Sequence, residues 1–197
     1  MKRFLSGLRK KAGRAASTGR PAHLGDDERF GTGLWRHNRD RFIRAVDRYY
    51  TTAVSIHEAR AGAPEPGTAS AGAPEPGAPE SVATENDPVN TIVDGTHRLN
   101  ELVTLVDAIT ERLHADHPVT GQVVPGLVRQ AIGDTPELLT KASAKVAEAV
   151  LAASMARTEI LAGKPIGSGA RATARFIDDA AELLERAQAN LDKVEES

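Results

Sequence analysis

Cysteine is absent from all 197 residues, which excludes disulfides, thiolate metal sites and a cysteine nucleophile and fits a reducing compartment. Aromatic side chains are scarce, at four Phe, two Tyr and one Trp, so an interior has to be built mainly from Leu, Val, Ile and Ala. No run approaches the ~20 apolar residues of a membrane span. Met1 to Leu8 begins with basic residues but has no apolar core of roughly 7–15 residues, so it does not read as a secretory signal. Neither a Gly-x-Ser-x-Gly elbow nor a His-Glu-x-x-His pair occurs. Acidic residues are missing from the first twenty positions altogether.

That last absence sets up the main asymmetry of the chain. Lys2, Arg3, Arg9, Lys10, Lys11, Arg14 and Arg20 supply seven of the 25 basic residues, and all 27 acidic ones lie beyond them. A net charge of −2 therefore hides a cationic tail on an acidic body. Such a split points to a polyanion or an acidic membrane surface as partner. Phe4, Leu5 and Leu8 share one face if the tail turns helical, putting a small apolar patch beside Lys2, Arg3, Arg9, Lys10, Lys11 and Arg14. Apolar insertion plus a polybasic segment is the two-signal arrangement that a weak membrane anchor needs. Arginine outnumbers lysine and alanine is abundant, the bias of a GC-rich bacterial genome.

The longest pattern runs from Asp87 to Asp116. Asp87 suits a helix cap, Pro88 the first helical position, and His117-Pro118 a stop. Ile92, Leu99, Val106 and Leu113 recur every seven residues, with Leu102, Val103 and Ile109 filling in. A stripe this wide has to touch more than one neighbour, which predicts a central bundle helix. Gly95 inside it reads as a locally weak first turn, at about 1 kcal/mol relative to alanine.

A second helix is predicted over 33–60. Trp35, Phe42, Tyr49 and Ile56 repeat at seven on one face, and His37, Arg41, Arg44 and Arg48 form a cationic row on the opposite one. Asp40 and Asp47 are expected to offset that row in part. Residues 61–86, with Ala-Gly-Ala-Pro-Glu-Pro-Gly at 61–67 and again at 71–77, read as a low-complexity linker, because proline and glycine at this density cannot hold a helix. Residues 21–32 read as linker too. Val123, Val124, Leu127, Val128, Ala131 and Ile132 predict a short helix between Pro125 and Gly133 that covers one end of the bundle. A capped helix follows from Asp134 to about Leu161, and a last one spans about 170–195 with Asp178, Glu182, Glu185, Asp192 and Glu196 outward. On the 134–161 helix, Ala144, Ala147, Leu151 and Met155 form a second apolar row, which predicts self-association. Gly163-Lys-Pro-Ile-Gly-Ser-Gly169 lacks the order of a phosphate loop and follows a helix, so it is an interhelix turn.

The expected fold is all-α: an antiparallel bundle of four long helices plus one short helix, with a disordered or amphipathic basic N-terminal tail and a Pro/Gly-rich internal linker. The segments are a tail and linker at 1–32, an aromatic-rich helix at 33–60, the 61–86 linker, and a bundle core at 87–197. Glu111-x-x-His114 has the spacing of half a di-metal carboxylate site, but no second Glu-x-x-His exists, so neither a metal nor another cofactor is assigned. The function expected is a non-enzymatic scaffold or interaction protein of the cytoplasm, homo-oligomeric, working with a protein partner and peripheral on the inner face of an anionic membrane. A nucleic-acid-associated protein using the tail with Arg41, Arg44 and Arg48 is the second choice, and a metal-binding bundle enzyme the third.

Overall fold

A computed structural model describes residues 25–62, 88–164 and 167–195. The basic tail with Lys2 to Arg14, nearly all of the 61–86 linker, the Asp87 cap and Glu196 lie outside the described residues. Within them the chain is all-helical, with six helices and no strand: α1 (Asp26–Phe30), α2 (Leu34–Ala61), α3 (Pro88–Asp116), α4 (Gly126–Ile132), α5 (Thr135–Leu161) and α6 (Ser168–Glu195). No helix among the described residues is long and apolar enough to cross a membrane.

The heptad residues set the packing. Trp35, Phe42, Tyr49 and Ile56 on α2 and Ile92, Leu99, Val106 and Leu113 on α3 are all buried in one continuous core. α5 adds Leu138, Leu139, Ala142, Val146, Ala149 and Ala153, and α6 adds Ile177, Ala180, Leu184, Ala187 and Leu191. α2 packs on α3 and α5, and α6 packs on the same two, so α2 and α6 occupy opposite corners. Named contacts give the directions. Trp35 lies against His117, Arg39 against Asp107 and Tyr49 against Ile92, so α3 runs back along α2. Asn190 reaches Asp134 and Lys145 reaches Asp179, so α6 runs back along α5. By contrast, Asn38 shares a pocket with Thr140, and Arg48 a groove with Ala147, so α2 and α5 advance together.

Several expectations need correction. Residues 26–30 are not linker. They form α1, and the Phe30 ring at its end is fully buried. Gly31 turns the chain from α1 into α2 with φ 68°, in the left-handed region that glycine tolerates best. The apolar residues around α4 reach the core only in part: Ile132 is buried and Val124 and Val128 pack against it, but Leu127 on α4 and Val123 just before it are more than 80 % exposed. Asp134 makes no side-chain cap on α5; its carboxylate instead accepts a hydrogen bond from Asn190 Nδ2 at 2.7 Å.

Gly95 is a close approach rather than a weak turn. It is buried where Tyr49 crosses α3, and the Tyr49 hydroxyl donates to the Ile92 carbonyl at 2.9 Å. Burial also raises the pKa of that phenol. A Cβ on Gly95 would overlap the Tyr49 oxygen and sit 2.8 Å from Ile177 Cδ1. Overpacking costs about 1–3 kcal/mol, against about 1 kcal/mol of helix propensity gained by alanine. Gly95→Ala is therefore expected to lower the urea midpoint of unfolding despite the better helix former, and an equal or higher midpoint would show that the crossing has slack.

Candidate functional site

Three clusters of charged side chains stand out among the described residues. The first is the corner where α1 meets the start of α2 and the end of α3. Arg39 and Asp107 are both more than nine-tenths buried and form a two-pronged pair, with Nε donating to Oδ1 at 2.7 Å and Nη2 to Oδ2 at 3.4 Å. The Phe30 ring lies under the Arg39 guanidinium at 4.0 Å from its centroid. Arg29 reaches Glu111 at 2.7 Å, and that hydrogen bond, ahead of the surrounding carboxylates, raises the pKa of its guanidinium. Trp35 Nε1 donates to the His117 carbonyl at 2.8 Å, closing the corner from below. Arg29, Arg36, Arg39, Asp26, Asp27, Asp107 and Glu111 each have a partner of opposite sign, so the corner reads as a structural clasp.

The second place is a groove between α2 and α5. Its walls are His37, Arg41, Arg44, Ala45 and Arg48 on one side and Ser143, Ala144 and Ala147 on the other, enclosing about 390 Å³. The expected offset by Asp40 does not occur: that carboxylate turns away to Arg36 at 2.9 Å and Arg39 at 3.5 Å. Asp47 stays exposed and forms no ion pair among the described residues. His37, Arg41, Arg44 and Arg48 are exposed, and none pairs with a carboxylate among the described residues. Two rows that look separate in the sequence thus share one groove, because Ala144 and Ala147 belong to the apolar row of α5. The outer members of that row, Leu151 and Met155, are 67 % and 61 % exposed.

The third place is the outer face of α6. Asp178, Glu182 and Glu185 are exposed and unpaired among the described residues. Asp192 differs: Arg112 holds it at 2.7 Å, and hydrogen bonds from Arg112 and then Gln188 keep its carboxyl below the usual range.

The Glu111/His114 pair is drawn apart in purpose. Glu111 is engaged by Arg29, and the His114 ring packs against Gly31, where a Cβ would come within 2.7 Å of it. No group of three or more His, Asp or Glu able to hold a metal occurs among the described residues. Sequence reading missed the Arg39–Asp107 clasp. The available signal was position: Arg39 falls four residues after Trp35 and three before Phe42, inside the aromatic face, and Asp107 adjoins Val106 in the apolar stripe of α3. No family model, curated protein or solved structure matches the chain.

Proposed function

We propose that this chain is a non-enzymatic helical scaffold that self-associates and is carried to an anionic membrane surface by its basic N-terminus, on the cytoplasmic side. Its body is a bundle of four long helices arranged as two antiparallel hairpins, α2–α3 and α5–α6, laid side by side. The observation that supports this reading best is the unneutralised arginine row, which shares its groove with Ala144 and Ala147, the near end of an apolar row that continues along α5 to the exposed Leu151 and Met155. Cations in an aligned row, with apolar side chains next to them, suit a docking surface better than a solvated face, where carboxylates usually interleave. Phe4, Leu5 and Leu8 with Lys2, Arg3, Arg9, Lys10, Lys11 and Arg14 supply the membrane contact in this scheme.

Sedimentation with acidic vesicles tests the carriage. Full-length protein is expected to pellet, and protein lacking residues 1–20 to stay at least tenfold more in the supernatant. Equal recovery of both in the pellet rejects the tail as the carrier.

The groove favours a second reading, binding of nucleic acid, since a row of three arginines and a histidine over twelve residues spans about 16 Å at 1.5 Å per residue, enough for two or three phosphates. On that reading Arg41→Gln, Arg44→Gln and Arg48→Gln together flatten the salt dependence of duplex binding by about 3 in slope. An unchanged slope leaves the row out of any nucleic-acid contact.

A further inference from the structure

The cationic row of α2 and the acidic row of α6 match in spacing. Arg41, Arg44 and Arg48 are separated by three and four residues, and read backwards Glu185, Glu182 and Asp178 are too. Both rows are exposed and unpaired among the described residues. They cannot meet within one chain: α2 and α6 stand at opposite corners of the bundle, with axes roughly 11–14 Å apart for neighbours packed at 8–10 Å.

We infer that the partner of the arginine row is a second copy of this chain, which lays the α6 acidic face antiparallel along α2 so that Arg41 meets Glu185, Arg44 meets Glu182 and Arg48 meets Asp178. This deepens the self-association reading above and rests on it, and it moves the specificity from the apolar row to charge. His37 falls opposite Ala189 in this register, and Thr51 opposite Arg175, so no like charges are forced together in the row. The antiparallel sense also sets the two helix dipoles favourably. Ala144 and Ala147, small and next to the row, let a helix approach the groove closely.

Because the two rows face opposite sides of the molecule, a single partner cannot satisfy both. The contact is heterologous: each added copy leaves one basic and one acidic face open, so assembly continues into a chain or closes into a ring. Exposed pairs of this kind are screened by salt, so the assembly depends on ionic strength and concentration.

Charge reversal and mixing test this directly on the full chain. One variant carries Arg41→Glu, Arg44→Glu and Arg48→Glu, and the other Asp178→Lys, Glu182→Lys and Glu185→Lys, with helix content checked by circular dichroism. Sedimentation velocity at low salt is expected to show wild type growing with concentration and falling to monomer in 0.5 M NaCl. Each variant alone associates at least tenfold more weakly. Mixed one to one, they regain concentration-dependent growth as an alternating assembly, because the native Arg41, Arg44 and Arg48 of one variant meet the native Asp178, Glu182 and Glu185 of the other, and the reversed charges meet each other in the same register. A mixture that stays monomeric, or a variant that assembles like wild type, overturns the pairing. If Leu151→Glu with Met155→Glu dissolves the oligomer while charge reversal does not, the apolar row of α5 is the interface and only the pairing fails. Wild type that stays monomeric at every concentration in low salt overturns both.

Discussion

Replacing Asp107 by alanine is expected to remove about 3–5 kcal/mol of unfolding free energy, the range for leaving one member of a buried ion pair without its partner. Arg39 is 8 % exposed, so its guanidinium cannot recover hydration in place. Its other acidic neighbours are poor substitutes. Asp40 Oδ1 lies 3.5 Å away and is shared with Arg36, and Asp26 Oδ2 is 3.8 Å away on an exposed residue. A loss of this size is a large share of the ~5–15 kcal/mol that holds a typical domain together. Urea unfolding followed by circular dichroism measures it. The double replacement Arg39→Met with Asp107→Leu provides the control: removing both charges together is often neutral or stabilising, so it should recover most of what the single change loses. If the double variant is as unstable as the single one, the clasp owes its value to packing around Phe30 rather than to charge pairing.

Trp35→Ala is expected to cost about 3–5 kcal/mol as well, for a different reason. The indole is fully buried at the head of α2 and is the largest side chain in the core. Truncation opens a cavity beside α3 and leaves the His117 carbonyl without the indole donor that reaches it at 2.8 Å. That carbonyl belongs to the turn where α3 ends, so the damage should spread to the α3–α4 connection. Trp35→Phe separates the two contributions: it keeps most of the apolar volume and loses only the hydrogen bond, so its cost should sit near 1 kcal/mol, as for a typical net hydrogen bond. A Phe variant as unstable as the Ala variant would mean that the hydrogen bond, not the volume, fixes this end of the bundle.

The long helices were legible because their signals are local and redundant. Four heptad-spaced residues on α2 and four on α3 point inward, and glycine or proline marks most of the ends. α1 was not legible: five residues, Asp-Asp-Glu-Arg-Phe, carry too little periodicity, and the tertiary contact at Phe30 comes from Arg39 on α2. Gly95 was misread for a similar reason, since its role depends on Tyr49 arriving from another helix. The cationic row at His37, Arg41, Arg44 and Arg48 was visible as a pattern, but its lack of neutralisation was not. Sequence spacing puts Asp40 four residues before Arg44, and only the fold shows that Arg36 and Arg39 claim that carboxylate. Likewise nothing in the order of residues says that Ala144 and Ala147 line the same groove as the arginines, because that depends on α5 lying beside α2 in the same direction.

The proposed carriage of this helical body to an anionic membrane by charge is tested most directly by binding of the full-length chain to vesicles across a range of acidic-lipid fractions, at 50 mM and 500 mM salt. The expected result is no binding to zwitterionic vesicles, a steep rise as the acidic fraction increases, and near-complete release at the higher salt. Binding that ignores lipid charge, or that survives high salt undiminished, would contradict it.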